Sequence, residues 1–440
     1  MKIFRHVFST TAFAVLLAGT ALAGQAVRQE VSSPAPVAAP AKSRTLPATQ
    51  ALFDSYIATD KMPGIVGGFG VGDFPTQFVG AGKISDTPDA PAAGPDSLWR
   101  VYSMTKPVTA TAAMILIEQG KIGLDDPVSK YIPEFKHMRV VDGPTGLASH
   151  PATHPILIRN LLTHTAGLAY APIFSRPVDK EYLRLGLVPA MSDAASEAQA
   201  RPLRPRSLEA FAKAVAAQPL IAEPGTVWSY SIGLDIMGRV IEVASGEPFD
   251  RFVQRHIFDP LQLRSSFWTV PQRDAARLAT NYTLLSDRRV ALDPGATSVW
   301  LQPPTFPYGG AGLVMSARDY DRFLHMLQNK GSIGRVRVMK PQTAELMMSN
   351  LLPAGVSYTN QGSSNGTTGF GAGGSVVLAD SPGGAPKGTY AWGGAAGSKA
   401  WVNPITRTRG TIMVNYFPGE KYPVLKQTMA ALLTDAARAK

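Results

Sequence analysis

A serine and a lysine lie three residues apart in WRVYSMTKPVTATAAM (99–114), and these two side chains could do chemistry together. The residues that follow Lys106 are mostly apolar, which predicts a helix buried on nearly every side. Pro107 is tolerated only in the first turn of a helix, so this helix must begin close to Ser103. Gly120 suits its C-terminal cap. Ser103 and Lys106 are then one turn apart on the same face, within side-chain reach.

The chemistry that this pair could perform is nucleophilic attack on a carbonyl group. Burial and the positive end of the helix both disfavour a charged lysine. A neutral Lys106 could therefore take the proton of Ser103 while the serine attacks. Alternatively, Ser103 caps the helix and Lys106 reaches solvent. The S-x-x-K spacing does not choose between these two interpretations.

Strand patterns occupy both ends of the chain, and helical patterns lie between them. Helices are predicted over 48–62, 159–168, 207–218, 231–245 and 317–329. Strands are predicted over 64–72, 76–84, 371–380, 388–394, 398–404 and 410–417. We therefore predict an α/β (α+β) fold with one sheet built from about 46–100 and 310–437 and a mainly helical insert over about 101–309. A cleft between these two parts would be the natural ligand site.

Five motifs follow one another along the chain: SMTK (103–106), LIRNLLTHTAGL (157–168), PGTVWSYS (224–231), YGGAGLVMSARDY (308–320) and YAWGGAAG (390–397). Together they resemble the serine β-lactamase/penicillin-binding-protein-like superfamily. The chain is most similar to the family VIII carboxylesterases, which share the class C β-lactamase fold. The resemblance covers about residues 46–435. It implies an antiparallel sheet flanked by helices, and an acyl-enzyme formed on Ser103.

The resemblance also assigns a proton-transfer residue. The second motif of the family is a tyrosine near the start of a helix that faces the S-x-x-K pair, and the matching residue here is Tyr230. By resemblance, Tyr230 and Lys106 act as general base and acid, deprotonating Ser103 and protonating the leaving group. Without the other motifs, Trp228 and Tyr230 would read as packing aromatics.

This chain departs from the β-lactamases at two motif positions. Their second motif has an asparagine two residues after the tyrosine, where this chain has Ile232. Their third motif begins with a lysine or histidine for the substrate carboxylate, where this chain has Trp392. A tryptophan offers a broad apolar face but no charge. Both departures resemble the family VIII esterases and argue against efficient β-lactam hydrolysis.

Gly393 and Gly394 follow Trp392 and would let the strand backbone lie close to the reacting carbonyl. By resemblance, the oxyanion hole consists of the backbone N–H groups of Ser103 and Ala395. Residues 392–395 are therefore predicted to bind the substrate. A simple bulge at Gly394 is the alternative.

Three other patterns resemble sites without fitting one. GSSNG (362–366) matches the nucleophile-elbow pattern G-x-S-x-G, but its polar, glycine-rich flanks predict a loop rather than the strand and helix that Ser364 would need. His150 and His154 have the spacing of a metal pair, but the prolines beside them break any helix and predict a surface loop. His164 is expected to form structural hydrogen bonds. We predict neither a metal nor a cofactor.

The first 23 residues have the pattern of a secretory signal peptide, with a basic start, an apolar run and small residues before a cleavage site after Ala23. The apolar run is too short to span a bilayer comfortably. Residues 24–45 are rich in alanine and proline and predict a linker, followed by a folded domain over 46–437. We expect a periplasmic or secreted protein with no stable membrane span once the signal is removed.

Composition excludes several kinds of site and partner. The chain has no cysteine, which excludes disulfides, thiolate nucleophiles and cysteine zinc sites. Its net charge of +11 comes from scattered basic residues, which argues against a nucleic-acid partner. We predict hydrolysis of a small-molecule ester. The alternatives are β-lactamase or D,D-peptidase action on a β-lactam or peptidoglycan-related substrate, acyl transfer, and non-catalytic envelope binding. The sequence indicates no oligomeric state.

Overall fold

A computed structural model describes residues 45–285, 288–359 and 366–438. The predicted signal peptide, nearly all of the predicted linker, and Ser364 lie outside these ranges. The helices are α1 (Pro47–Ala58), α2 (Thr105–Glu118), α3 (Ile158–Leu162), α4 (Pro177–Arg184), α5 (Ala194–Ala200), α6 (Leu208–Ala216), α7 (Gly233–Ser245), α8 (Phe249–Val253), α9 (Asp259–Leu261), α10 (Ala317–Gln328), α11 (Pro341–Met347) and α12 (Val424–Arg438).

The strands are short and belong to several sheets. They are β1 (Gly64–Val71), β2 (Gln77–Gly82), β3 (Leu98–Arg100), β4 (Arg139–Val141), β5 (Ser149–Pro151), β6 (Ser266–Phe267), β7 (Asn281–Leu285), β8 (Arg288–Asp293), β9 (Val314–Ser316), β10 (Ser332–Ile333), β11 (Val336–Arg337), β12 (Thr368–Phe370), β13 (Ser375–Val377), β14 (Tyr390–Gly393), β15 (Lys399–Asn403), β16 (Thr408–Met413) and β17 (Tyr416–Phe417).

The largest sheet has seven antiparallel strands in the order β12-β13-β14-β15-β16-β1-β2. The two N-terminal strands join the C-terminal ones through the β1–β16 pair, in which Val66 lies opposite Met413. Helices cover this sheet, and mainly helical sequence separates its two groups of strands. The mixed architecture with an antiparallel sheet confirms the predicted fold class.

Both faces of β1 are buried, and its side chains belong to two different cores because successive side chains of a strand point to opposite faces. In β1, Ile65 and Phe69 belong to a core that also contains Phe53 of α1 and Val424 of α12. Val66 belongs to the larger core instead. On that side α10 packs against β1, β15 and β16.

The helix predicted to be buried is α2. Its residues from Thr105 to Leu116 are all buried, and it packs against α7 and α11. Its interior polar groups are paired: the Thr109 hydroxyl donates to the Gly309 carbonyl at 2.7 Å. Gly120 adopts a left-handed φ of +70° just beyond the helix end, as expected of a C-terminal cap. The prediction of a helix buried on nearly every side is confirmed from Thr105 to Leu116, and its last two residues are partly buried.

Two predicted boundaries are wrong because a residue with left-handed backbone ends the element. The helix predicted over 159–168 ends at Leu162, because His164 has φ +58°. Of the strand predicted over 371–380, only β13 forms, because the residues before it make the turn that joins it to β12, which ends at Phe370. Gly373 in that turn has φ +75°.

Two further elements end early. The helix predicted over 48–62 ends at Ala58. The strand predicted over 410–417 ends at Met413, and β17 then pairs in parallel with β7 in a separate sheet.

Within the described ranges, no helix is both long enough and apolar enough to cross a bilayer.

Candidate active site

Ser103 lies in a single 3₁₀ turn that leads directly into α2. The preceding residue, Tyr102, has φ +43°, a conformation that a bulky side chain rarely adopts. The ring of Tyr102 packs edge-on against Trp300 and Phe417, and its hydroxyl accepts a hydrogen bond from the Asn281 amide at 3.0 Å. These contacts hold the strained backbone in place. They thereby fix the direction in which Ser103 points.

Lys106 is fully buried, and its Nζ lies 3.3 Å from Oγ of Ser103. Nζ also donates a hydrogen bond to the carbonyl of Gly310 at 2.8 Å. The ring centroids of Tyr230 and Tyr170 lie 4.7 and 5.3 Å from Nζ. The interpretation that placed Lys106 in solvent is wrong. No side chain caps α2, so the serine does not cap this helix.

Tyr230 lies in the segment just before α7, far from Lys106 in the sequence but beside it in space. Its ring packs among other aromatic rings, with centroid distances of 4.7 Å to His164, 5.2 Å to Tyr170 and 5.6 Å to Trp392. The structure therefore brings together the serine, lysine and tyrosine that the sequence singled out.

His164 fixes the segment that carries Tyr230. The His164 carbonyl accepts the N–H of Ser229 at 2.9 Å, and its Nδ1 accepts the N–H of Ser231 at 3.2 Å. A ring nitrogen that accepts carries no proton, so the neutral ring bears its proton on Nε2. Burial, and secondarily the charge of Lys106, hold the pKa of His164 well below its usual range. His164 is thus a neutral hydrogen-bonding residue, as predicted.

The third motif forms the end of β14, beside the serine turn. The Trp392 ring faces Tyr230 and Phe370, with centroids 5.6 and 5.1 Å away. A Cβ on Gly394 would lie 2.5 Å from the carbonyl oxygen of Val101. Only glycine therefore lets this strand lie against the segment that leads to the nucleophile.

The two other residues of this motif lie on either side of Gly394. Gly393 pairs with Lys399 of β15, and Ala395 lies exposed just beyond the strand. This position fits the predicted substrate-binding and oxyanion roles of Gly393 and Ala395. Those roles stay predictions.

Aromatic side chains from separate segments lie beside Tyr230. We call four of them the aromatic wall: Trp228, Tyr358, Phe370 and Trp392. Trp228 and Tyr358 contact each other edge-on at 4.8 Å, and Phe370 and Trp392 do so at 5.1 Å. Burial, and then the neighbouring Tyr230, raise the pKa of Tyr358 to about 12, so the wall is uncharged at neutral pH. Sequence reasoning missed Tyr358 and Phe370 because no motif contains them.

Sequence reasoning also missed Asp235, a fully buried residue in the first turn of α7. Its Oδ1 accepts the N–H of Gly310 at 2.8 Å. Burial raises the pKa of Asp235 to about 7, although the protonated form of Lys106 acts in the opposite direction. The signal that could have found it is a lone carboxylate within the apolar run SIGLDIMG, since a buried charge needs a partner.

The two histidines with metal-pair spacing lie elsewhere, on the surface. His150 is in β5, half exposed, and its Nδ1 lies 2.7 Å from Oδ1 of Asp142. His154 follows in the next loop and is also exposed. Within the part of the chain that the structure describes, no three His, Cys, Asp or Glu side chains are grouped so as to hold a metal ion.

These features match one known family. The sequence model of the beta-lactamase family matches residues 49–434. The chain belongs to the beta-lactamase family. Esterase EstB of Burkholderia gladioli is 31% identical over 326 residues, which are 70% of this chain and 74% of EstB. This match supports the resemblance to esterases of this family.

Solved structures agree with the fold. EstCE1, described as a hydrolase with promiscuous acyltransferase activity, has a TM-score of 0.72 and 27% identity over 88% of this chain and 97% of its own. Unliganded simvastatin synthase LovD of Aspergillus terreus has a TM-score of 0.69 at 22% identity, over 88% of this chain and 96% of its own, and shows the fold alone.

A further relative is an uncharacterised protein of Mycobacterium tuberculosis. It is 33% identical over 263 residues, which are 58% of this chain and 60% of that protein. The chain thus matches 60% of the length of this relative, less than two thirds.

Proposed function

We propose that this protein is a serine hydrolase that cleaves carboxylic esters through an acyl-enzyme on Ser103. The observation that carries this proposal is the fully buried Lys106, whose Nζ lies 3.3 Å from Oγ of Ser103. A buried amine beside a serine is the arrangement that activates a hydroxyl nucleophile. The similarity to esterase EstB supports an ester as the substrate.

The proposed reaction has two halves. Lys106 accepts the proton of Ser103 while Oγ attacks the ester carbonyl, and the backbone N–H groups of Ser103 and Ala395 stabilise the oxyanion. Tyr230 delivers a proton to the departing alcohol as the tetrahedral intermediate collapses to the acyl-enzyme. Water then attacks the acyl group, and its proton returns through Tyr230 and Lys106 to the serine.

The aromatic wall supports an uncharged substrate. Trp392 occupies the strand position at which the β-lactamases hold a cationic side chain for the substrate carboxylate, and its indole ring offers an apolar face and an N–H donor but no positive charge. A short-chain, uncharged ester fits this environment better than an anionic β-lactam or a peptide ending in D-alanine.

Acyl transfer is the second candidate. Acyltransferase mokF of Monascus pilosus is 26% identical over 326 residues, which are 71% of this chain and 72% of mokF, and EstCE1 is described as having acyltransferase activity. Transfer and hydrolysis share the acyl-enzyme and differ only in whether an alcohol or water attacks it. The ratio of transfer to hydrolysis in the presence of an added alcohol measures this choice.

The test of the proposed function is to trap the acyl group. The protein is mixed with p-nitrophenyl butyrate, quenched within the first turnover, digested, and analysed by mass spectrometry. We expect a burst of p-nitrophenol and a butyryl group on the peptide that contains Ser103. An unmodified Ser103, or label on Ser364 instead, would contradict the proposal.

Nitrocefin and a D-Ala-D-Ala peptide in parallel assays test the β-lactamase and D,D-peptidase alternatives. Binding to isolated envelope without turnover would favour the non-catalytic one.

We also propose that the protein is exported to the periplasm or secreted. The basic, apolar and small-residue regions of its first 23 residues support this proposal. We expect protein recovered outside the cytoplasm to begin at Gly24 when its N-terminus is sequenced. An N-terminus that still contains the first 23 residues on the exported protein would contradict cleavage.

A further inference from the structure

Asp235 is a fully buried carboxyl group, and one of its two oxygens has no hydrogen-bond partner among the described residues. Its Oδ1 accepts the N–H of Gly310 at 2.8 Å. Its Oδ2 is buried and has no hydrogen-bond partner among the described residues. A buried carboxyl oxygen without a hydrogen-bond partner costs folding free energy, so its presence beside the active site calls for a functional explanation.

Gly310 links Asp235 directly to Lys106. Its N–H donates to Asp235, while its carbonyl accepts the 2.8 Å hydrogen bond from Nζ of Lys106. A Cβ on Gly310 would lie 2.5 Å from Oδ2 of Asp235, and a Cβ on Gly309 would lie 2.4 Å from the carbonyl oxygen of Leu234. The two glycines therefore let this loop lie against α7, and the Asp235 carboxyl sets the orientation of the group that holds the lysine.

Asp235 can also act on Lys106 electrostatically, in addition to the contact through Gly310. When Lys106 accepts the proton of Ser103, it becomes an ammonium ion with no access to water. The ionisable groups around it are Asp235, His164, Tyr170 and Tyr230.

Two of these groups are not charged at neutral pH. His164 is neutral, and burial raises the pKa of Tyr170 well above its usual range. Burial raises the pKa of Asp235 to about 7, so this carboxyl ionises within the working range of most enzymes. An ionised Asp235 would favour the protonated form of Lys106.

We propose that Asp235 is a positioning residue that orients Lys106 through Gly310 and supplies the negative charge against which Lys106 takes up the proton of Ser103. The inference rests on the proposed function. No bond to Asp235 forms or breaks. The proton moves from Oγ of Ser103 to Nζ of Lys106, and the carboxylate stabilises the ammonium ion through space.

The decisive variant is Asp235→Asn, which keeps the shape and an oxygen acceptor for the Gly310 N–H but removes the charge. We expect kcat for p-nitrophenyl butyrate to fall about 100-fold while KM changes by less than about threefold. The wild-type rate should rise with pH through a midpoint near 7 as Asp235 ionises. That step should be absent from the pH profile of the variant.

The matched control is Asp319→Asn. Asp319 is another buried carboxyl whose pKa is raised by burial, but it accepts hydrogen bonds from the Ser265 N–H and the Ser266 hydroxyl, neither of which belongs to the proposed machinery. We expect this control to lose stability without changing kcat or the pH profile. Thermal unfolding of each variant separates loss of folding from loss of catalysis.

A second variant keeps the test decisive if Asp235→Asn does not fold. Gly310→Ala places a methyl group against the Asp235 carboxyl and should also lower kcat far more than it raises KM. Folded variants with wild-type kcat and an unchanged pH profile would overturn the role of Asp235. By contrast, a wild-type protein that hydrolyses no ester and leaves Ser103 unlabelled would overturn the proposed function itself.

Discussion

Lys106→Met is expected to lower kcat/KM for a short p-nitrophenyl ester by about 10⁴-fold while the protein stays folded. The substitution removes the amine that lies 3.3 Å from Oγ of Ser103 and leaves an apolar side chain of similar length in a fully buried position. Nδ1 of His164 is occupied by the Ser231 N–H, so His164 cannot replace the lost base. Initial rates, with thermal unfolding as a check on folding, measure the effect.

Because a nucleophile and its base act as one unit, their losses should not add. We expect Ser103→Ala, Lys106→Met and the double variant to share nearly the same residual rate. Lys130→Met is the matched control, since Lys130 is a half-exposed lysine paired with Asp126. It should keep wild-type activity. A Lys106→Met protein that retains more than about a tenth of wild-type kcat/KM would rule out Lys106 as the general base.

The serine–lysine pair was predictable because a helix fixes the geometry of residues three positions apart. The apolar run after Lys106 indicated burial, and the position of Pro107 indicated where the helix starts. Both inferences use only local sequence. The structure adds the strained Tyr102 before the nucleophile, which no local pattern shows, because its conformation depends on contacts with Trp300 and Phe417.

Residues that reach the site from distant segments were predictable only where a motif marked them. Tyr230 and Trp392 were found through the family resemblance. Asp235, Tyr358 and Phe370 were not, because their importance lies in what they contact. Asp235 accepts the N–H of the glycine whose carbonyl holds Lys106, and the two rings contact rings on other segments. Such pairings follow from the packing of the whole chain rather than from spacing along it.

Predicted ends of helices and strands were wrong for a related reason. His164 lies within a helical pattern, but its φ of +58° ends α3 and turns its ring toward the segment of Tyr230. Its Nδ1 and its carbonyl are then placed to accept two N–H groups of that segment. Long-range hydrogen bonds thus override a local helical preference where the site needs a rigid support.

Arg100→Met is expected to lower the free energy of unfolding by about 3–5 kcal/mol. Arg100 ends β3, three residues before Ser103, and is fully buried. Its guanidinium donates to the Asp293 carboxylate, the Ala279 carbonyl and the Ser298 hydroxyl. Removing it leaves Asp293 as a buried charge without its cationic partner. Urea unfolding measures the change.

Most of the lost stability should come from the Asp293 carboxylate, which is left buried without a cationic partner, rather than from the lost contacts of Arg100. Arg100→Met combined with Asp293→Leu should therefore recover much of the stability that Arg100→Met loses, because an apolar pair can replace a buried ion pair. Arg318→Met is the matched control: its partner is Asp96, both side chains are more than half exposed, and the expected loss is at most about 1 kcal/mol. Equal losses for Arg100→Met and Arg318→Met would show that burial adds nothing to the Arg100–Asp293 pair. A double variant less stable than Arg100→Met alone would show that the carboxylate is stabilised by its hydrogen bonds from Ser298 and the Val299 N–H even without the arginine.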